Sequence, residues 1–154
     1  MMPTLNVDRW ARLNDLSGTF AGLMDLYERN YINMRRLLPA VPEAGTSLVS
    51  HVPVGLSLHL TVVERFRYTT ELSLTYHFVR DGRRLAEPDL RARVYHDARQ
   101  AEVMSAQLRQ WPRVSFDDHS PLSFDLHARW QVNRFLYKWL NYCLYQGHCF
   151  SATR

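Results

Sequence analysis

Residues 56 to 78 read LSLHLTVVERFRYTTELSLTYHF and contain two runs in which apolar and polar residues alternate. Successive side chains of a β-strand point to opposite faces of the sheet, so this period of two predicts two strands, each with a buried and an outward face. The outward set includes His59 in the first run and His77 in the second. The apolar residues are Leu56, Leu58, Leu60 and Val62 in the first run, and Leu72, Leu74, Tyr76 and Phe78 in the second.

The connection between the two runs leaves their register open. It contains neither glycine nor proline, which predicts an irregular or wide turn near residues 66 to 69. One register pairs Leu60 with Tyr76. It places His59 directly opposite His77, with Cβ atoms about 5 Å apart, so that both imidazoles can share an ion or an anion. Neighbouring registers with the same facing separate the two histidines.

A third alternating run follows the turn signal Asp81-Gly82. After this run the alternation restarts out of phase, which predicts a bulge or a tight turn that joins a further strand. Asp97 stands at this turn, where its carboxylate can accept hydrogen bonds from the backbone amides that follow. We therefore interpret His96-Asp97 as a turn with a hydrogen-bonded histidine. One face of the run carries Leu90, Ala92, Val94 and His96, and the other carries Arg91, Arg93, Tyr95 and Asp97.

A long helix is predicted before the strands. Between residues 20 and 38 apolar side chains recur at spacings of three and four, which is the pattern of one apolar stripe on a helix. Ser17 or Thr19 can cap its start, and Pro39 ends it. The stripe consists of Phe20, Leu23, Met24, Tyr27, Tyr31, Met34 and Leu38.

A second long helix is predicted near the C-terminus. Ser123 or Asp125 can cap its start, and Gly147 provides its end. Cys143 lies in the apolar stripe of this helix, so we interpret it as a buried thiol rather than a nucleophile. The stripe consists of Val132, Phe135, Leu136, Trp139, Leu140, Cys143 and Leu144.

These elements predict an α+β fold in which an antiparallel sheet of four or five strands is packed by a long N-terminal and a long C-terminal helix on one face. A chain of 154 residues is the usual size of one domain. We expect an N-terminal extension over residues 1–19, a single domain over residues 20–148 and a C-terminal tail over residues 149–154. Residues 40–47, AVPEAGTS, are rich in turn formers and are predicted to be a connector.

The composition restricts the class of protein. With 46% hydrophobic and 22% charged residues the chain is not expected to be disordered, and no apolar run approaches the roughly 18 residues of a membrane helix. The N-terminus lacks the apolar segment of a secretory signal, and Cys143 and Cys149 match no zinc or disulfide pattern. The net charge of +4 comes from arginines spread along the chain. We expect a cytoplasmic protein that binds neither nucleic acid nor membrane.

The outward face of the predicted sheet is the candidate binding site. Arginine presents a planar fork of donors that suits phosphate and carboxylate, and histidine adds further donors. The preferred hypothesis is a module without catalytic activity that binds a small anionic ligand, such as a phosphate or a nucleotide, or a protein partner. The alternative is an ordinary solvated sheet face. The residues assigned to the site are Arg91, Arg93, Tyr95, His96 and Asp97, with His59 and His77 from the first two runs.

Two further alternatives belong to other classes. A small metal-dependent hydrolase of a phosphate ester or nucleotide would hold its metal with His59, His77 or His96 and Asp97. Residues 117 to 127 also concentrate aspartate and histidine, but without a recognised ligand spacing, and no nucleophile or phosphate-loop motif occurs, so no metal site or cofactor is predicted. A protein-interaction element would expose an aromatic patch of Trp111, Phe116 and Phe124, but we expect these residues instead to cover the edge of the sheet.

Four segments, taken together, point to a family. They are YERNYINMRRLLP (27–39), VVERFRYTTELSL (62–74), RVYHDARQAEV (93–103) and QVNRFLYKWLNYCLYQG (131–147). In this order and spacing they resemble the YqiB-like bacterial proteins, a domain family of unknown function, over roughly residues 20 to 148. The chain departs from the family pattern between Leu108 and Arg129, where the family tends to show a tyrosine-proline-asparagine stretch and an acidic-acidic-lysine sequence before the last helix. The resemblance implies no activity and no catalytic residue.

Overall fold

In the computed structural model the described residues are 18–108, 114–116 and 126–151. Their elements are α1 (Phe20–Leu37), β1 (Ser47–Ser50), β2 (Leu58–Arg65), β3 (Thr69–Arg80), β4 (Arg83–Tyr95), β5 (Gln100–Gln107), β6 (Val114–Ser115) and α2 (Leu126–Gln146). The strands form one antiparallel sheet whose order follows the chain from β1 to β6. The predicted α+β class is confirmed: five strands of four or more residues form the sheet with two long helices, and the two-residue β6 extends its edge.

Short turns join most of the consecutive strands. Asp81 and Gly82 both have positive φ, 54° and 72°, as a two-residue hairpin turn requires, and they join β3 to β4 as predicted. The sequence pattern did not predict β1, which begins at the last residue of the segment interpreted as a connector. Four residues are too few to show an alternating pattern, and pairing with β2 makes this segment a strand.

Both helices cover the same face of the sheet, as predicted. On this face the apolar residues of β2 to β5 are almost fully buried, in agreement with their alternation. Met34 and Leu37 of α1 and Leu136 and Leu140 of α2 belong to the same apolar core, whose burial is the main stabilising contribution to the fold. The strands contribute Leu58, Leu60, Val62, Leu72, Leu74, Leu90, Ala92, Val94, Ala101 and Val103.

The buried stripe of α1 differs from the predicted one. Thr19 caps the helix as predicted, since its Oγ1 accepts a hydrogen bond from the amide of Gly22 at 3.0 Å. Phe20 was assigned to the core but is 66% exposed, whereas Leu26 and Leu37 are fully buried. The stripe is displaced because α1 packs against α2 as well as the sheet, and its buried face includes polar residues that an apolar pattern does not detect.

Two buried asparagines connect the helices to β5. The side chain of Asn133 in α2 accepts a hydrogen bond from the amide of Val103 at 3.0 Å and donates one to the carbonyl of Arg129 at 2.8 Å. The backbone carbonyl of Asn133 accepts a hydrogen bond from the side chain of Asn30 in α1 at 3.1 Å. β6 pairs with residues 105–106 of β5 rather than with Val103. At Val103 the side chain of Asn133 therefore supplies the hydrogen-bond acceptor that a neighbouring strand would provide.

The chain after α2 packs back onto the fold. Gly147 has a φ of 96°, and the amide of His148 donates to the carbonyl of Cys143 at 3.0 Å, which confirms the predicted end of the helix. Phe150 lies in the predicted tail, yet its side chain is buried in the core and its amide donates to a carbonyl at the end of α1 at 2.7 Å. The domain boundaries stay predictions, because the outermost residues at both ends lie outside the described part of the chain.

His148 is a buried titratable group at this C-terminal junction. Its Nδ1 lies 2.9 Å from the hydroxyl oxygen of Ser50 at the end of β1. Burial lowers the pKa of His148, because the charged imidazolium would lose its hydration. The neutral ring therefore connects the C-terminal segment to the first strand.

Asn133→Ala is expected to lower the free energy of unfolding by about 2–3 kcal/mol, because it leaves the amide of Val103 without its acceptor. Asn141→Ala is the matched control, since its hydrogen bond to Asn33 joins the same two helices where burial is less complete, and its loss is expected to cost about 1 kcal/mol. Urea unfolding followed by circular dichroism measures both. Equal losses in the two variants would contradict the assigned role of Asn133.

The free energy of unfolding is expected to fall as the pH decreases from about 7.5 to about 5. A histidine whose pKa is lower in the folded state binds more protons when unfolded, so stability is lost as the pH falls through the unfolded-state pKa of about 6.5. His148→Gln should show a smaller decrease over this range than the wild type. Thermal unfolding at each pH measures the difference, with the exposed His127→Gln as control. An unchanged pH dependence in His148→Gln would exclude His148 as a main contributor.

Candidate functional site

The face of the sheet opposite the helices, here called the outer face, carries most of the predicted site. Arg91, Arg93 and Tyr95 point to it from alternate positions of β4, as the sequence pattern predicted. In β3 the cross-strand neighbour of Arg91 is Ser73 and that of Arg93 is Glu71. Arginine and carboxylate side chains therefore meet near the centre of the sheet.

Glu71 holds both arginines. One carboxylate oxygen, Oε2, accepts from Nη2 of Arg91 at 3.0 Å, and the other, Oε1, accepts from Nε and Nη2 of Arg93 at 3.0 and 2.6 Å. The Glu71 side chain is only 12% exposed, so its charge must be compensated by these neighbours. Hydrogen bonds with Tyr95 and Glu71 raise the pKa of Arg93. The three side chains form a charged cluster that carries one net positive charge.

Tyr95 extends the polar contacts toward α2. Its hydroxyl donates to Oε1 of Glu102 at 2.6 Å, and Oε2 of Glu102 lies 3.8 Å from Nη1 of Arg129. Burial and the hydrogen bond to Glu102 raise the pKa of Tyr95, so its phenol stays protonated at neutral pH. Tyr95 is therefore engaged by groups of the protein itself.

His96 and Asp97 do not join the arginines. They belong to the turn between β4 and β5, which confirms the interpretation of this stretch as a turn. The ring of His96 lies 2.8 Å from the buried hydroxyl of Thr70, on the side of the sheet that the helices cover, and Asp97 is exposed. His96 follows Tyr95 directly, so the alternation that places Tyr95 on the outer face places His96 on the other side. Burial and the charges of Arg35 and Arg65 lower the pKa of His96.

His59 and His77 contact each other, although the predicted register is wrong. Leu60 pairs with Leu74, so His59 lies opposite Thr75. His77 is two residues further along β3 on the same face, which makes it a diagonal cross-strand neighbour of His59 and within reach of its ring. Their ring centroids are 4.3 Å apart and the ring planes are nearly perpendicular, at 88°. In this edge-to-face contact the edge of one ring meets the face of the other. The two rings therefore do not direct two nitrogens at a common ion. Burial and the neighbouring His77 lower the pKa of His59.

A groove of about 370 Å³ crosses the outer face beside Arg91. The register of the sheet explains this groove. It places one serine or threonine from each strand in a single row across the sheet, except that β4 contributes Arg91 to the row. Short side chains between rows of longer ones leave space above the sheet. The aligned residues are Ser47, Thr61, Ser73, Arg91, Ser105 and Ser115. The groove itself is lined by Val63, Ser73, Asp89, Arg91, Ser105 and Gln107.

Among these lining residues, only Arg91 was predicted from the sequence to belong to the site. Ser73 stood in the outward set of its run, but a serine on a solvated sheet face gives no functional signal. Ser105 and Gln107 face outward beyond Met104, an extra residue in β5 that the out-of-phase alternation had indicated. They were missed because polar residues on an open sheet face give no functional signal.

The described residues give little support to the two other candidate sites, the metal site and the exposed aromatic patch. Among residues 18–108, 114–116 and 126–151, no group of three or more histidine, cysteine, aspartate or glutamate side chains could hold a metal ion. Of the predicted cluster at residues 117–127, only the last two positions are described, and His127 there is exposed at the start of α2. Phe116 is buried, as expected if it covers the edge of the sheet rather than forming an exposed patch, and the guanidinium of Arg129 lies 4.7 Å from its ring centroid. Trp111 and Phe124 lie outside the described residues.

Neither described helix combines the length and hydropathy needed to cross a membrane.

These features define a class of protein: an α+β domain whose single antiparallel sheet is packed by two helices on one face and carries a polar groove on the other. Residues 33–149 match the family described as Protein of unknown function (DUF1249). The chain is also 34% identical to the Uncharacterized protein YqiB of Escherichia coli strain K12. The 128 aligned residues cover 83% of this chain and 90% of that relative.

The proteins of the same name from Escherichia coli O157:H7 and from Escherichia coli O6:H1 strain CFT073 match with the same identity and coverage. The chain therefore belongs to the DUF1249 family, and its resemblance to the YqiB-like proteins is confirmed. No solved structure matches the chain.

Arg93→Ala is expected to destabilise the protein more than Arg91→Ala, by about 1–2 kcal/mol against less than about 1 kcal/mol. Arg93 makes two contacts with Glu71 and is the less exposed of the two side chains, at 34% against 45%, so its loss leaves the buried carboxylate less compensated. Urea unfolding of the two variants measures the difference. The opposite order would show that Arg91 is the main partner of Glu71.

Proposed function

We propose that this protein is a binding module without catalytic activity, and that Arg91 binds the acidic group of a small ligand in the groove of the outer face. The observation that supports this is the position of Arg91, which lines the groove with 45% of its side chain exposed. Its contact with Glu71 is made through Nη2. A guanidinium has five N–H donors in a planar fork, so donors remain for a phosphate or a carboxylate.

Glu71 prepares Arg91 for this role. Because the carboxylate is largely buried and holds Arg91 at 3.0 Å, the guanidinium is positioned before a ligand arrives, which reduces the entropy lost on binding. The single negative charge of Glu71 is shared with Arg93, so the cluster retains one positive charge. The hydroxyl groups of Ser73 and Ser105 beside Arg91 supply neutral hydrogen-bonding groups for the rest of the ligand.

The cytoplasm is the location that fits this proposal. Cys143 and Cys149 are free thiols, one buried and one exposed. Unpaired thiols are typical of a reducing compartment. An acidic metabolite of that compartment is the kind of ligand that the groove would bind.

A ligand that binds in the groove is expected to raise the melting temperature. At about 100 times its dissociation constant it adds about 2.7 kcal/mol to the free energy of unfolding, which corresponds to about 5–10 °C for a domain of this size. We expect such a shift from at least one compound in a panel of inorganic phosphate, nucleotides, sugar phosphates and small carboxylates. Arg91→Gln should abolish the shift while leaving the melting temperature of the ligand-free protein nearly unchanged.

Arg84→Gln is the matched control, because Arg84 is an exposed arginine of the same strand that does not line the groove. It should keep the shift of the wild type. A shift of full size in Arg91→Gln would contradict the proposal, and so would an equal loss in both arginine variants, which would indicate a nonspecific effect of net charge.

A further inference from the structure

Asp89 lines the same groove as Arg91, so the groove contains a negative charge as well as a positive one. From this pairing we infer that the ligand is a zwitterion, an amino acid-like or short peptide-like molecule whose carboxylate binds Arg91 and whose ammonium group binds Asp89. The inference rests on the proposed function, since it adds a second anchor to the acidic group that Arg91 holds.

The spacing of the two anchors comes from the strand. Asp89 and Arg91 are two residues apart in β4 and face the same side, so their Cα atoms are separated by about 7 Å. The guanidinium of Arg91 turns toward Glu71, which pairs with Arg93 farther along the strand, and so it turns away from Asp89. The two charges therefore bind groups at opposite ends of a ligand rather than one group between them.

The local charge is balanced. Arg91 and Arg93 carry two positive charges, and Glu71 and Asp89 carry two negative charges. A ligand with a single negative charge is attracted by Arg91 but repelled by Asp89, and a ligand with a single positive charge is attracted by Asp89 but repelled by Arg91. A molecule with one charge of each sign satisfies both ends, and its net charge of zero matches the neutral sum of the four side chains.

The walls between the two ends are neutral. Ser73, Ser105 and Gln107 supply hydroxyl and amide groups that can bind a peptide-like amide, and Val63 adds an apolar contact for methylene groups. Both charged residues of the groove are exposed, so ionic attraction is screened and each end is expected to contribute only a severalfold gain in affinity.

The test uses linear ω-amino acids of increasing length, from glycine through β-alanine and 4-aminobutanoate to 6-aminohexanoate, and the dipeptide glycylglycine. Each is titrated into the full chain, and the backbone amides of Ser73 and Ser105 are followed by heteronuclear NMR. The comparison compounds are hexanoate, which lacks the ammonium group, and 6-hydroxyhexanoate, which replaces it with a hydroxyl. We expect one length to bind best and about fivefold more tightly than its analogue without nitrogen.

Asp89→Asn should remove this fivefold preference while retaining the weaker binding of hexanoate, and Arg91→Gln should abolish both. Asp81→Asn is the control, because Asp81 is an exposed aspartate in the β3–β4 turn and asparagine tolerates its positive φ. It should bind as the wild type does.

The outcomes separate the two proposals. If hexanoate, 6-hydroxyhexanoate and the amino acid bind equally and Asp89→Asn changes nothing, the ligand is a simple acid: the zwitterion inference is wrong and the proposed function stands. If 6-hydroxyhexanoate alone equals the amino acid, Asp89 recognises a hydroxyl group, and the inference of a zwitterion is again overturned. If neither these compounds nor the panel of anions perturbs Ser73 and Ser105 through Arg91, both proposals fail.

Discussion

Both helices pack on the same face of the sheet, and this constraint shapes the rest of the structure. Where the long strands lie under the helices, alternate residues are apolar and buried, and the others form an outer face that must satisfy its own polar groups. Glu71 shows the result, since it is nearly buried on that face and is compensated by Arg91 and Arg93. The short hydroxyl side chains aligned with Arg91 then leave the groove.

The covered face is not entirely apolar. Asn133 and Asn30 are fully buried between the helices and β5. The side chain of Asn133 both accepts and donates a hydrogen bond, and the amide nitrogen of Asn30 donates one, whereas Oδ1 of Asn30 has no hydrogen-bond partner among the described residues. A purely apolar contact would permit the helices to slide, whereas these directional bonds are met in one arrangement. Ser50 and His148 do the same at the other end of the fold, where they join the C-terminal segment to β1. The groove is thus formed on a sheet whose packing is defined by directional contacts.

The sequence pattern located part of the candidate site and not the rest. Alternation placed Arg91, Arg93 and Tyr95 on one face because their strand is regular over that stretch. The pattern also grouped His96 with them, although the same alternation turns its side chain toward the helices, where it meets a buried hydroxyl. Asp89 gave no signal, because an aspartate before a strand run is common and gains meaning only from its neighbours across the strands.

The α+β class, the two long helices, the long strands and the buried face of each can be predicted from the residues alone, because they follow from local periods of two and of about 3.6 residues. The register of the sheet and the partners of polar side chains depend instead on how distant segments pack together. The irregularities near Val62, Thr75 and Arg91 each shift the pairing of two strands, and their positions depend on how the whole sheet packs against the helices. Contacts between distant segments, such as that of Glu71 with Arg93, come from pairings that no local pattern specifies.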